Sequence, residues 1–459
     1  MKMKSIMFCT IAVFAPAVAV ADAAIDRVLV RQQWPWNEKV AIDFVLTNVT
    51  SATQIDMAVY RGATPLAVPS GAFSGDIYNL TEDGAYRIMF DPSYLADRPA
   101  KGETLRFELT PSVIPSDSPL FEVIYKIFDL ENKTVTDVTR GALLNGRYGS
   151  VETDYSSIGE VNGTKYDSPL ENVCVWTGVT NYPGAKTTKL VMRKIPAGSF
   201  KYGYYHNWTQ ANKATITVSQ PFYIGVFELT QKQYSYFKYN SGTSYYAPDE
   251  LSCNAGDDKP VQNIKLMQTI YGNSRVWDAS SGALKNLKDM FADVGTYNFD
   301  VPTQAMWFRA LRAGTGTTYY YDGISGTPSD FNYNDRMAVL GRFAGNGGIV
   351  DNGDGTTMTN GVAAVGSYRP NAFGLYDMIG NVSEATRDYK QFNSDATDPL
   401  GAGSNNAFGV FGCSWLSAAE LPYSGNLNNS VFMNLHLPYT YVGLRLAFFE
   451  GENPFEPVE

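Results

Sequence analysis

The stretch RPNAFGLYDMIGNVSEATRD, Arg369 to Asp388, decides how this chain folds. It sits in a long region rich in glycine and asparagine, residues that mark turns rather than regular elements. Within it, Asp377 and Glu384 read as acids of a tight Asx-type turn, bonding nearby backbone amides.

Working outward, residues 171–449 share this loop-rich grammar. KLVMRKIPAG, PFYIGVFEL and the closing GLRLAFF read as short strands. TQKQYSYFKYN predicts a helix capped by Thr230, and TQAMWFRALRAG one capped by Thr303 and stopped by Gly314. The expectation is a loop-dominated α+β domain over residues 171–449, followed by a tail at 450–459. VDNGDGTTMTNG, Val350 to Gly361, fails as an EF-hand loop because positions six and twelve, counted from Asp351, are Thr356 and Val362. It reads as an ordinary turn.

Residues 22–130 differ. RVLVRQQW, VAIDFVLTNV, QIDMAVYRG, AYRIMF, TLRFELTP and FEVIYKIFDL alternate at period two between turn signals. This predicts an all-β sandwich of immunoglobulin-like type, acting as a spacer, docking or binding module. Residues 131–170 read as a linker.

Residues 1–21 read as a secretory signal: Lys2 and Lys4, an apolar run from Ile6 to Val18, then Ala19-Val20-Ala21. A secreted, periplasmic or cell-surface location is expected. No stretch has the roughly 18 continuous apolar residues of a membrane span. The formal charge is −10, or −12 without the two leader lysines, and no basic cluster points to nucleic acid. Three cysteines would remain after cleavage, Cys174, Cys253 and Cys413, so at most one bridge can form. With only His206 and His436 in the chain, a three-histidine metal site is excluded.

IPAGSFKYG, PFYIGVFELTQKQYSYF, KPVQNI, FDVPTQAMWFRALRAG, RPNAFGLYDMIGNVSEATRD, GCSW and VGLRLA follow the order of the formylglycine-generating enzyme, or sulfatase-modifying factor, family. The chain resembles that family across its second domain. The resemblance implies a variant of the C-type-lectin fold and, for an active member, copper-dependent oxidation of a sulfatase cysteine.

The family holds copper with two cysteines after a Gly-Gly-Ser-aromatic turn, since paired soft thiolates suit a cuprous ion. Counted from Trp415, those places fall to Ser417 and Pro422, while Cys413 stands in the turn itself. The family's Thr-Glu-Ala-Glu-Trp-Glu helix start is TQAMWF here, with Gln304, Met306 and Phe308 replacing carboxylates. Ser383 and Ala385 stand where two cleft-wall tryptophans are usual. No copper, and no formylglycine-generating activity, is expected.

The resemblance also implies a structural calcium, held by Asp377, the carbonyls of Gly380 and Val382, and Glu384, an all-oxygen set suited to a hard cation. The segment after Trp415 is rich in Tyr and Asn and nearly uncharged, a composition suited to recognition. Ser414, Trp415, Glu420, Tyr423, Asn426, Asn434, His436, Tyr439 and Tyr441 are the candidate contact residues for a protein, peptide or glycan ligand. The brackets GCSW and GLRL are also similar to those around the variable loop of retroelement-diversified lectin-fold proteins. The alternatives are thus a binding protein, diversified or not, and a copper oxidase with an altered site.

Overall fold

A computed structural model describes residues 8–11, 23–32, 38–99, 103–146, 148, 151–152, 160–161, 164–165, 174–202, 214–239, 254–272, 281–314, 338–347, 349–351, 357–359, 361–388, 392, 394–400, 407–417, 433–434 and 439–450. The chain is mostly β with few helices. It divides into two compact units, residues 1–123 with 138–153, and residues 124–137 with 154–459.

The first unit contains two four-stranded sheets. Its strands are β1 (Phe8–Ile11), β2 (Ala24–Gln32), β3 (Val40–Thr47), β4 (Thr53–Arg61), β5 (Thr64–Pro65), β6 (Phe73–Gly75), β7 (Gly84–Phe90) and β8 (Thr104–Val113). One sheet runs β2-β3-β7-β6, the other β1-β8-β4-β5. Period-two patterning puts Val40, Ile42, Phe44 and Leu46 of β3 into one core with Ile55, Val59, Ile88, Phe90, Leu105, Phe107 and Leu109. Asn145 closes a gap in this unit: its Oδ1 accepts from the amides of Ile77 (3.1 Å) and Tyr78 (2.8 Å), and its Nδ2 donates to the Tyr78 carbonyl (2.6 Å).

The second unit is organised by a five-stranded sheet. Its strands are β9 (Val123–Asp129), β10 (Thr134–Thr139), β11 (Lys189–Ile195), β12 (Phe222–Gly225) and β13 (Ala447–Phe448), in the order β10-β9-β11-β12-β13. FEVIYKIFDL, expected to close the N-terminal domain, instead pairs as β9 with β11, Tyr125 opposite Arg193 through Asp129 opposite Lys189. Alternation marks a strand but not its sheet, because partner choice depends on contacts far along the chain.

Both faces of this sheet are covered, which is why β12 is buried at every residue. Phe222 and Ile224 face one core with Trp307, Phe308 and Phe411. Tyr223, Leu190 and Met192 face the other, where the Phe128 ring lies 4.8–5.6 Å from those of Phe291, Tyr297, Phe299 and Phe448.

Both expected helices form. Thr230 caps Gln231–Ser235 through a capping box with Gln233, although the helix is shorter than its pattern. Thr303 caps Gln304–Arg312, which ends at left-handed Ala313 and Gly314. Ile349–Asp351 and Thr357–Thr359 pair as antiparallel strands, and the expected turn between them lies outside the described residues.

Candidate functional site

Three left-handed residues shape the turn that decides the fold. Asp377 (φ 56°), Gly380 (φ 83°) and Asn381 (φ 63°) are all left-handed, the conformation for which Gly, Asn and Asp are suited. Glu228 holds the turn from below: its carboxylate accepts from Asn381 Nδ2 (2.6 Å) and from the Val382 amide (3.0 Å). Asn381 Oδ1 accepts from the Ala363 amide at 2.9 Å, and Asp377 Oδ2 from the Gly366 amide at 2.6 Å. The approach is close enough that a Cβ on Gly341 would lie 1.8 Å from the Ile379 carbonyl oxygen.

Glu384 is fully engaged. Arg445 donates to it through Nε (3.0 Å to each oxygen) and Nη2 (2.6 Å), and Trp307 Nε1 donates at 2.7 Å. The remaining Arg445 donors reach the carbonyls of Gly225 (2.8 Å), Val226 (2.9 Å) and Tyr376 (2.7 Å). Every guanidinium N–H is therefore used, the condition under which a buried arginine is tolerated.

Glu228, Asp377 and Glu384 are each no more than 1 % exposed and share one interior with Arg445. Burial, and then the Asp377 and Glu384 charges, push Glu228 well above the usual carboxylate range. Burial likewise raises Asp377 to about 6, against the opposing Gly366 amide. Acid outweighs base here, so a cation would be electrostatically welcome.

Asp377 Oδ1 supports the same conclusion: it is buried and, among the described residues, has no donor. An all-oxygen set of Asp377 and backbone carbonyls fits a hard cation in its chemistry. Among the described residues no three His, Cys, Asp or Glu side chains converge as a metal cage. Glu384, one of the four expected ligands, meets this cluster already paired with Arg445.

The GCSW turn packs directly on this one. Gly380 N donates to the Gly412 carbonyl and Trp415 N to the Asn381 carbonyl, both at 2.8 Å. Cys413 sits at φ 61°, a free thiol in a residue of intermediate exposure. Desolvation pushes that thiol up to about 12, outweighing a hydrogen bond with Ser417. Burial therefore disfavours its thiolate, which is the nucleophilic form.

Ser417, at the first copper-cysteine place, is knitted into the turn. Its Oγ accepts from the Ser414 amide at 3.1 Å, and its carbonyl from Ala344 N at 3.0 Å. Pro422 lies outside the described residues.

The helix that would carry the family's carboxylates has become core. Met306 and Phe308 are each 3 % exposed, and Phe308 packs on Phe411 (5.0 Å) and Tyr202 (5.2 Å). Gln304 Nε2 donates to Tyr202 Oη at 2.8 Å. Ser383 and Ala385 are buried in strand Ser383–Thr386.

The expected contact residues divide. Tyr439 and Tyr441 are half-buried neighbours, ring centroids 6.2 Å apart. Asn434 pairs through its backbone with Ala407. Glu420, Tyr423, Asn426 and His436 lie outside the described residues.

Trp415 and Ser414 are corrections: they are 2 % and 1 % exposed and cannot present a surface. The indole packs on Val362 and Val382, and its Nε1 reaches Gln262 Oε1 at 3.4 Å. The Ser-Trp turn lies against the buried Asn381 turn, so the larger ring is desolvated.

Glu228, Arg445 and Gln262 were not anticipated as parts of this site. The available signal was a single charge inside an apolar run, GVFEL for Glu228 and GLRLAFF for Arg445.

The model of the sulfatase-modifying factor enzyme 1-like domain matches residues 180–447, more than half of the chain. No curated protein matches the sequence significantly. Among solved structures, PvdO from Pseudomonas aeruginosa is 18 % identical, with a TM-score of 0.42 over 56 % of this chain and 94 % of that one. Treponema denticola variable protein 1 is 20 % identical, with a TM-score of 0.40 over 57 % of this chain and 95 % of its own. CarF is 19 % identical, with a TM-score of 0.36 over 56 % and 98 %.

Proposed function

Because this chain belongs to the sulfatase-modifying factor enzyme 1-like family, we propose that it keeps the family scaffold as a binding module and does not catalyse formylglycine formation. Ser417 carries this reading. It occupies the place of the first copper-binding cysteine and spends its hydroxyl on the Ser414 amide. Burial pushes the thiol of Cys413, in the same turn, up to about 12. Oxidation of a substrate thiol by copper needs two soft thiolates close together, and neither position supplies one.

The same reading gives the chain a leader at residues 1–21 and a place outside the cytoplasm. Its first unit acts as an immunoglobulin-like spacer or docking module. The strand orders β2-β3-β7-β6 and β8-β4 support this assignment. A structural calcium would rest on Asp377 and the Gly380 and Val382 carbonyls, with Glu384 shared with Arg445. The orphaned Asp377 oxygen supports this site. The ligand face centres on Tyr439 and Tyr441, and takes a protein, peptide or glycan.

Metal analysis of the purified protein tests both points, together with incubation of a sulfatase-derived cysteine peptide with copper and oxygen. Stoichiometric copper with aldehyde formation would overturn the binding reading. Calcium-dependent thermal stability, lost in Asp377→Ala, is expected; indifference to calcium and chelator would remove the metal.

A further inference from the structure

Strand β1 lies wholly within the stretch read as a secretory leader. It pairs parallel to β8, Phe8 opposite Thr104 through Ile11 opposite Phe107. On its other side β8 pairs with β4, Leu105–Val113 against Thr53–Arg61. On the secretory reading, and only on it, export removes β1 and leaves β8 as a sheet edge among the described residues.

Such an edge presents a row of unpaired N–H and C=O groups, which natural proteins blunt or cover. The far half of β8 is blunted by Pro111, whose nitrogen cannot donate. Its outward face is closed by Arg106, which pairs with Glu108 and lies 4.1 Å from the Tyr60 ring centroid. Leu105, Phe107 and Leu109 fill the core from the inward face. The near half, from Thr104 to Phe107, is the part that the leader strand occupies, with an uncharged segment, FCTI.

We infer that in the mature protein this edge accepts an extended, uncharged β-strand donated in parallel by a separate protein partner. Main-chain bonds along Thr104–Phe107 supply affinity in this mode, and side chains at alternate positions supply selectivity.

The test uses secreted protein whose N-terminus has been determined by mass, and a peptide of residues Lys4–Val13 carrying Cys9→Ser. Saturable binding by anisotropy is expected, with an unfolding midpoint that rises with peptide concentration. Two further peptides carry backbone N-methyl groups, one at positions 8 and 10, the other at 9 and 11. In a parallel edge strand only one alternate set of amides points at β8. One methylated peptide should therefore bind about tenfold or more weakly, and the other like the parent. Equal behaviour of both, or no binding of the parent, would overturn the acceptor site.

Self-association of the leaderless protein that the peptide reverses would put a second copy on the edge and overturn the separate partner. A retained leader in the mass measurement would overturn the secretory reading instead, and is scored before any peptide is added.

Discussion

Arg445 and Glu384 form a bidentate ion pair, Nη2 to Oε1 2.6 Å, at 0 % and 1 % side-chain exposure. The pair joins the closing strand region to the turn at Asp377–Glu384, and Trp307 and three backbone carbonyls complete its bonds. Breaking such a pair on one side strands a buried charge, which costs about 3–5 kcal/mol. Glu384→Gln should lower unfolding free energy by that amount in denaturant titrations followed by tryptophan fluorescence. Glu384→Leu combined with Arg445→Met should cost less than either single change. Additive losses would mean that the two residues act independently.

Trp415 and Tyr441 separate core from surface. The buried indole predicts a loss of about 3–5 kcal/mol for Trp415→Ala. Tyr441 is half-buried beside Tyr439, and Tyr441→Ala should cost about 1 kcal/mol or less. Chemical denaturation of both variants checks this; a destabilising Tyr441 change with a silent Trp415 change would reverse the assignment.

Cys413 should be chemically quiet. With its thiol pushed up to about 12 by burial, almost no thiolate exists at pH 8, and the thiolate is the reactive form. Iodoacetamide at that pH should label Cys413 only after denaturation, as read by peptide mass mapping. Rapid labelling of native protein would restore a reactive cysteine in this loop.

Acid should weaken the second unit through Asp129. Burial raises this carboxyl, but the Asn132 amide (2.9 Å) and Lys189 Nζ (2.9 Å) outweigh it and hold the group at about 2. A carboxyl depressed in the folded state adds stability above its unfolded value, near 4, and loses it as pH falls toward 2. Between pH 4 and 2.5 the parent protein should lose stability on the order of 1 kcal/mol more than Asp129→Asn, allowing for solvent screening. Parallel slopes for the two proteins would remove the effect.

Local signals were the most legible. Thr230 and Thr303 announced their helices because a cap and its partner sit three residues apart in sequence. Period-two alternation found most strands of the first unit for the same reason. The alternation in FEVIYKIFDL was equally plain, yet its sheet was not, since β9 finds its partner some 60 residues later in β11.

By itself, then, the sequence determined the family scaffold, the capped helices and the presence of Ser417 and Pro422 where the family resemblance places copper cysteines. Each of these is a matter of residue type and spacing along the chain. Only the tertiary structure decided that Trp415 and Ser414 are interior and that burial pushes the Cys413 thiol up. It also brought Glu228 and Arg445, 217 residues apart by their numbering, into one buried cluster with Asp377 and Glu384. Burial and charge balance depend on which distant segments exclude water together, and no local pattern encodes that.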